Sequence, residues 1–179
     1  MEETRKKIIE AATEVFSEYG FFRAPTHLVA MRAGVSKGLI FWYFKDKDEL
    51  ILEVARKALP AEEIRSCLEK DIAGKDLLRC IAESYISKYT DPKMRNLLLH
   101  SLSASSHYEP LAELLKKTCG ELLQKATLKV FGELNTKNIV KMRVLLGALM
   151  CYSINKPTEL SENEYIDEVL SLIYESSNK

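Results

Sequence analysis

A three-residue joint near the N-terminus limits what this chain can form. Apolar side chains recur at helical spacing over residues 26–34 and again over residues 37–44, with only Gly34-Val35-Ser36 as the connection. A joint this short that contains glycine holds two helices at a steep angle. The second of these helices should therefore stand clear of the rest of the protein.

Residues with capping chemistry extend the helical pattern on both sides of this joint. Helix one is predicted over Thr4–Tyr19, with Gly20 as its end, and Ser36 is placed to cap the helix that follows the joint. Asp46 is placed to cap a fourth helix, which Pro60 bends or interrupts. The first predicted unit therefore spans residues 1–58.

The rest of the chain is also helical in pattern, and no segment alternates as a β-strand does. The whole chain has only 7 glycines and 5 prolines, and turn residues separate the apolar stretches. We predict an all-α fold with two domains, 1–58 and 59–179. Six further helices are predicted at 61–71, 75–89, 92–106, 109–131, 138–154 and 162–176.

Charge is distributed unevenly along a chain whose formal net charge is zero. Residues 23–47 carry five basic side chains against Asp46 alone, whereas residues 158–179 carry six acids against Lys179. A neutral chain argues against a nucleic-acid partner, because phosphate neutralisation usually needs a basic protein. The segregation of charge removes that objection for the N-terminal end.

The cysteines and the N-terminus indicate a cytosolic protein. Cys67, Cys80, Cys119 and Cys151 occur singly in apolar helical patterns, without CxxC pairs or metal-like spacing to histidine. We expect them to be small core residues in a reducing compartment. No stretch approaches the roughly 18 apolar residues of a membrane span, and the N-terminus lacks the apolar centre of a signal peptide. A cytoplasmic location is therefore predicted.

The stretch Ala24–Leu50, APTHLVAMRAGVSKGLIFWYFKDKDEL, resembles the DNA-binding signature of the tetracycline-repressor (TetR) family. Its specific parts are the Ala33–Ser36 turn, the Lys37-Gly38 helix start, the aromatic run Phe41–Phe44 and the Lys47-x-x-Leu50 opening of the fourth helix. The resemblance implies a homeodomain-like helix-turn-helix domain followed by a helical ligand-binding and dimerisation domain. It also implies a dimeric transcription factor, usually a repressor, that binds a palindromic operator of double-stranded DNA and is released by a small molecule.

The third helix can place its N-terminal end in the major groove, and this gives its residues separate roles. Lys37 can donate to guanine acceptors, Gly38 allows close approach of the backbone, and Leu39 offers an apolar contact to a thymine methyl group. Tyr43 and Lys47 should instead contact phosphates. Phosphate or base contacts are also predicted for Thr26 and His27, at the start of the second helix.

Three residues depart from the family pattern. Leu39 stands where Thr, Ser or Ala is usual, Phe41 where Tyr is usual, and Pro25 where Ser or Thr is frequent. Phe41 has no hydroxyl group, so a phosphate hydrogen bond common in the family is absent, and the operator sequence cannot be inherited from relatives. Phe44 is predicted to be a core residue from its helical period, whereas the place of Trp42 stays open.

The last two predicted helices, 138–154 and 162–176, carry more apolar surface than one small core can cover. Residues 144–154 are apolar on every side of a helix, and the final helix has a broad apolar face. Gly147 and Ala148 would permit close helix approach. We therefore predict a homodimer in which these two helices of each subunit pack as four, as the family resemblance also implies.

The middle helices carry polar side chains within apolar patterns. The family resemblance places a small-molecule pocket in this region, and some of these groups are predicted to orient an unknown effector. For any single residue, a locally satisfied core or surface position is the alternative. The predicted pocket residues are Tyr85, Tyr89, Ser101, His107, Tyr108 and Cys119.

The sequence predicts no catalysis, no cofactor and no metal. His100 and His107 share one helix face, but a separation of about 10 Å along the axis is too great for one shared ion. No Ser/His/Asp or paired-carboxylate arrangement can be argued from the other positions. The alternatives to a ligand-controlled regulator are a helical small-molecule-binding protein and a regulator controlled by a protein partner.

Overall fold

The computed structural model describes residues 1–157 and 159–175, with side chains through Tyr174. Within this part of the chain there are ten α-helices and no strand, so the predicted all-α fold is confirmed. No helix found there is long and apolar enough to cross a membrane. The helices are α1 (Glu2–Tyr19), α2 (Thr26–Ala33), α3 (Lys37–Tyr43), α4 (Lys47–Ala58), α5 (Ala61–Glu69), α6 (Gly74–Thr90), α7 (Pro92–Ala104), α8 (Glu109–Phe131), α9 (Thr136–Ile154) and α10 (Glu162–Glu175).

Every predicted helix is present, and the predicted ends lie within about two residues of the observed ones. The agreement follows from the turn chemistry, because glycine, proline and capping residues mark the helix ends directly in the sequence. Ser176, the predicted end of the last helix, lies outside the described residues.

The predicted joint between α2 and α3 is held by backbone and side-chain hydrogen bonds. Gly34 has φ 66° and ψ 32°, a left-handed conformation that glycine adopts without a Cβ penalty. The Val35 N–H donates to the Ala30 carbonyl at 3.0 Å and closes the end of α2. The side-chain oxygen of Ser36 accepts a hydrogen bond from the Leu39 N–H at 3.2 Å and caps α3, as predicted.

Two hydrogen bonds between side chains and backbone hold the start of α4. The Asp46 carboxylate accepts a hydrogen bond from the Glu49 N–H at 2.9 Å, which confirms the predicted cap. The Glu49 carboxylate in turn accepts one from the Lys45 N–H at 2.7 Å. These reciprocal bonds fix the chain between α3 and α4, where Lys47 begins the fourth helix.

The chain divides into two compact units, of which unit 1 comprises Met1–Leu59 and Asp91–Lys116. It contains α1 to α4, α7 and the beginning of α8. Helix α1 is central, since it packs against α2, α4 and α7. The fully buried side chains of this core include Ile8, Phe16, Phe44, Leu50 and Leu97.

Unit 2 comprises Pro60–Thr90 and Lys117–Lys179, and within its described residues it contains α5, α6, the rest of α8, α9 and α10. Helix α6 is central here, because α5, α9 and α10 all pack against it. An ion pair between Arg79 on α6 and Asp167 on α10 adds to this packing. Its buried side chains include Leu77, Leu78, Ile81, Leu145, Leu149 and Leu170.

The first stretch of unit 1 ends at Leu59, one residue after the predicted domain boundary at residue 58. The structure differs for Asp91–Lys116, which belongs to unit 1 and not to the C-terminal helices. Leu97, Ala104 and Leu111 are buried in the core that α1 to α4 form, and this burial is the reason. An amphipathic pattern shows that a helix packs on a core but does not show which core it joins.

Two of the four cysteines are joined, contrary to the prediction. Cys67 on α5 and Cys80 on α6 form a disulfide, with their Cα atoms 5.9 Å apart. Cys119 is half-buried, Cys151 is exposed, and both are free thiols. The prediction of four single core cysteines is therefore wrong for the joined pair and for Cys151. A separation of 13 residues does not reveal that α5 packs beside α6 at a distance a disulfide can span.

Candidate nucleic-acid interface

Helix α3 has one buried side and one exposed side. Ile40 and Phe44 are fully buried and anchor the helix in the core of unit 1, which confirms the prediction for Phe44. Lys37, Gly38 and Trp42 are exposed. The N-terminal half of a two-turn helix is therefore presented to the surroundings on a rigid base.

The fold itself does not require glycine at position 38. Gly38 is not among the glycines with positive φ. A Cβ atom added there would meet only the side-chain oxygen of Ser36, at an ordinary contact distance of 3.9 Å. Glycine in an exposed helix is also unfavourable compared with alanine. The residue therefore suits the approach of an external surface better than it suits the stability of α3.

The Lys37 side chain lies along the exposed side of α3. Its ammonium nitrogen is 5.9 Å from the centroid of the Phe41 ring, which is itself 40% exposed. This distance is within the range of a cation–π interaction. The ring orients the cation while leaving its N–H groups to a polar acceptor. Leu39, the next predicted base contact, is half-buried.

Lys47 is held at the start of α4 by a contact to another part of unit 1. Its ammonium group donates a hydrogen bond to the Phe22 carbonyl at 3.0 Å. Burial lowers the pKa of the Lys47 ammonium below its ordinary value. An ammonium group has three N–H donors, so this contact positions the side chain and leaves two donors for a phosphate.

The Tyr43 hydroxyl is engaged within the protein. It donates to the Met1 carbonyl at 2.9 Å. A phenol has one proton to donate, so a phosphate contact from Tyr43 requires this hydrogen bond to be exchanged. Of the two predicted phosphate contacts, Lys47 is therefore the better prepared.

Trp42 is a candidate that the sequence analysis did not assign. Its side chain is 65% exposed and meets the Tyr43 ring edge-on, with centroids 4.7 Å apart. Trp42 follows Gly38 by four residues, a spacing that places two residues on one helix face. Counting from Gly38 would have put Trp42 on the outer side of α3.

Thr26 and His27 begin α2. Pro25 occupies the N-cap position in an extended conformation, without a side-chain cap. Thr26 is half-buried, His27 is exposed, and Val29 fixes the buried side of the helix. His27 is therefore the more accessible of the two predicted contacts.

One of the basic side chains in residues 23–47 is paired with an acid within the protein. Arg32 donates to both carboxylate oxygens of Glu18, each at 2.8 Å. This hydrogen bond raises the pKa of Arg32 and lowers that of Glu18. The charge of Arg32 is thus balanced within the protein, whereas Lys37 and Lys45 are exposed cations.

Three of the six predicted pocket residues meet in unit 2. The Tyr85 and Tyr89 rings are buried, with centroids 4.5 Å apart. Burial raises the pKa of both hydroxyl groups and of the half-buried Cys119 thiol. Tyr85, Tyr89 and Cys119 therefore form a shielded group of polar atoms, which we call the tyrosine cluster.

The other three predicted pocket residues belong to unit 1. Ser101 is fully buried, and its hydroxyl donates to the Leu97 carbonyl at 2.7 Å. His107 is exposed, and the Tyr108 ring packs edge-on against Phe22 with centroids 5.3 Å apart. For Ser101 the local hydrogen bond fits the alternative of a satisfied core residue.

A pocket of about 340 Å³ lies in unit 2 at the turn between α8 and α9, where the sequence analysis did not place one. Lys141 lines the pocket and is buried, with its ammonium 5.5 Å from the centroid of the Phe131 ring. No group of His, Cys, Asp and Glu side chains suited to a metal ion occurs among the described residues. The pocket lining is Val130, Phe131, Glu133, Asn135, Lys137, Asn138, Lys141 and Tyr174.

Helix α9 buries one apolar side and exposes another. Met142, Leu145 and Leu149 face the core of unit 2. On α10, Leu172 is 75% exposed. Besides Thr136, Lys137 and Arg143, the exposed residues of α9 recur at alternating spacings of four and three, and we call these five the α9 stripe: Val140, Val144, Gly147, Cys151 and Ile154.

Together these features define an all-α protein with an N-terminal helix-turn-helix whose second helix is exposed. Residues 8–54 match the family described as "Bacterial regulatory proteins, tetR family". The resemblance to the TetR family that the sequence predicted is therefore confirmed over these residues.

Individual relatives match the chain over different lengths. The chain is 41% identical over 63 residues to the HTH-type transcriptional regulator HbdR of Aromatoleum sp. (strain CIB), which covers 35% of this chain and 28% of HbdR. It is 29% identical over 187 residues to the HTH-type transcriptional regulator BetI of Proteus mirabilis (strain HI4320), covering 94% and 92%. The chain thus matches little more than a quarter of HbdR but nearly all of BetI.

The whole fold is also similar to solved structures. One is the transcriptional regulator FadR of Bacillus subtilis in complex with stearoyl-CoA, with a TM-score of 0.73 at 17% identity, covering 95% of this chain and 97% of FadR. The relatives named here are transcriptional regulators, which agrees with the prediction that the chain is not an enzyme.

Proposed function

We propose that this protein is a cytoplasmic transcriptional regulator that binds a palindromic DNA operator as a homodimer and is released by a small molecule. The observation that carries the proposal is the exposed N-terminal half of α3, where Lys37 and Gly38 stand on a helix whose other side is fixed by Ile40 and Phe44. A short helix presented in this way can enter the major groove.

Within the proposed complex, α3 reads bases and its flanks hold the backbone. Lys37 donates to guanine acceptors, Leu39 contacts a thymine methyl group, and Gly38 lets the two surfaces approach. Lys47, already oriented by the Phe22 carbonyl, donates to a phosphate. Trp42 adds an exposed ring beside the same groove. Tyr43, Thr26 and His27 are further contacts to the DNA backbone or to bases.

The homodimer is proposed to form through α9 and α10. The α9 stripe and Leu172 are apolar surface that water would otherwise cover, and its burial between two copies is favourable. An added Cβ at Gly147 would meet nothing within 4 Å, so a partner helix can approach there. Two-fold symmetry of the dimer would match the symmetry of a palindromic operator.

The effector is proposed to act in unit 2, where the tyrosine cluster supplies polar atoms in buried surroundings. By differential binding, the small molecule would favour a dimer in which the spacing of the two α3 helices no longer fits the operator. Repression is the proposed mode of action, and release by the effector would then permit transcription.

The proposal is tested by selecting binders from a pool of random duplex DNA and footprinting the enriched sequences. A palindromic site with two half-sites about one helical turn apart is expected. Lys37→Ala should bind the selected site less tightly than the wild-type protein does. Lys57→Ala is the matched control and should bind it normally, because Lys57 is exposed at the far end of α4. Failure of the wild-type protein to enrich any sequence would refute the function.

A further inference from the structure

The disulfide between Cys67 and Cys80 is not equally accessible from its two ends. Cys67 on α5 is 1% exposed, whereas Cys80 on α6 is only partly buried. A thiolate breaks a disulfide by attacking one of its sulfur atoms, and access decides which sulfur is attacked. Of the two cysteines, Cys80 is therefore the one more accessible to a thiolate.

A positive charge lies beside the accessible sulfur. The Lys70 ammonium donates a hydrogen bond to Sγ of Cys80 at 3.3 Å. The Lys129 ammonium donates to the backbone carbonyls of Leu68 and Lys70, at 2.7 and 2.6 Å, and so fixes the end of α5 that carries Lys70. A cation held next to a sulfur attracts an incoming thiolate and stabilises the thiolate form of that cysteine.

The buried sulfur has a partner of its own. Sγ of Cys67 is 3.6 Å from the Ser84 hydroxyl oxygen on α6. A hydroxyl group can donate to a thiolate, so Ser84 can stabilise Cys67 when that sulfur leaves. The surroundings of Cys80 therefore favour attack by a thiolate, and those of Cys67 favour its release as the leaving group.

Helix α5 is tied to α6 by more than the disulfide. The Lys88 ammonium on α6 pairs with the Glu63 carboxylate on α5 at 2.8 Å, and both side chains are largely buried. Ile64 of α5 is also buried. Opening the disulfide therefore leaves α5 in place, so the bond can be broken and reformed in the folded protein.

From these contacts we propose that Cys67–Cys80 is a reversible redox site that exchanges with low-molecular-weight thiols through Cys80. The thiolate of the small molecule bonds to Sγ of Cys80, and the Cys80–Cys67 bond breaks with its electron pair on Cys67, which takes a proton from water. A second small thiol then attacks the mixed disulfide and releases Cys80 as a thiolate. Two small thiols are oxidised to one disulfide while the protein disulfide is reduced to two thiols.

The test uses reduced glutathione as the probe on the folded, oxidised protein, with alkylation at timed intervals and peptide mass spectrometry. Glutathione is expected first on the peptide that contains Cys80, followed by loss of the adduct and two free thiols. Glutathione on the Cys67 peptide would overturn the proposal. Reduction that occurs only in denaturant would also overturn it, because the bond would then be purely structural.

Two lysine variants separate the charge effect from general changes. Lys70→Met should slow exchange about two- to fivefold, the range for an exposed charge interaction, and should weaken its dependence on ionic strength. Lys75→Met is the matched control, because Lys75 is an exposed cation on α6. Equal rates in both variants would contradict the role of Lys70. This inference does not depend on DNA binding, so it stands or fails separately from the proposed function.

Discussion

At the scale of single residues, the fold does not require glycine at position 38, whereas the proposed DNA binding does. Its backbone does not need glycine, and an added methyl group would meet only Ser36, at 3.9 Å. Gly38→Ala should therefore raise the free energy of unfolding by about 0.5–1 kcal/mol, measured by denaturant titration. The same change should weaken binding to operator DNA, because in the proposed complex the methyl group would lie between α3 and the groove.

Gly120→Ala is the control for this effect. Gly120 lies inside α8, and a Cβ atom there would meet nothing within 4 Å. Stability should rise in a similar way while DNA affinity stays unchanged. Tighter or equal DNA binding by Gly38→Ala would show that α3 does not approach DNA at that position.

Lys47 allows a prediction about phosphate contacts. Lys47→Glu should lower affinity for every duplex at least about tenfold, because it removes a charge-assisted hydrogen bond and repels phosphate. The slope of log affinity against log salt concentration should fall by about one. Gel shifts at several salt concentrations measure both quantities.

Lys57→Glu makes the same charge change at the other end of α4, and Lys57 is exposed. It should leave both affinity and salt slope nearly unchanged. Circular dichroism of both variants excludes unfolding, which matters because Lys47 also donates to the Phe22 carbonyl. An unaltered salt slope in folded Lys47→Glu would contradict the phosphate contact.

These residue-scale partners were not predictable from sequence. Lys47 meets a carbonyl 25 residues away, and Tyr43 meets one 42 residues away. Sequence patterns identify which side chains are charged or aromatic, but long-range packing decides which of their donors are already engaged. Phe44 was predictable because its burial follows from the local helical period alone.

At the scale of helices, the α9 stripe leads to a prediction about assembly. Val144 is 53% exposed at the second position of the stripe. Val144→Glu should convert a dimer to a monomer, because it would bury two unpaired carboxylates against apolar surface. Sedimentation velocity measures the change, and affinity for a palindromic duplex should fall with it.

Leu128→Glu is the matched control on another helix. Leu128 is 52% exposed on α8, so the substitution has the same chemistry and similar exposure. This variant should remain dimeric. A Val144→Glu protein that sediments as a dimer would remove α9 from the proposed interface.

Helix positions were largely predictable, and helix partners were not. Caps such as Ser36 and Asp46 mark helix starts because their side chains satisfy N–H groups within three residues, a purely local requirement. The disulfide between Cys67 and Cys80 depends on α5 lying against α6, and no local pattern encodes that. The same reasoning explains why the sequence alone does not show that α7 packs against α1 and α4.

At the scale of the whole molecule, the predicted pocket divides between two units. Tyr85, Tyr89 and Cys119 meet within unit 2, whereas Ser101 and Tyr108 belong to unit 1. The sequence shows which helices carry polar residues. It does not show which of these residues lie close together, because that depends on how the helices pack. The helix-turn-helix was predictable because its candidate contact residues lie on three helices consecutive in the chain.

The most direct test of the account compares affinities for a selected palindrome and for a scrambled duplex of equal length. Lys37→Ala should lower the ratio of these two affinities by about five- to 150-fold, the range for one base contact, while scrambled DNA is bound nearly as before. Lys57→Ala should leave the ratio unchanged. An equal loss on both duplexes would contradict the claim that α3 reads bases through Lys37.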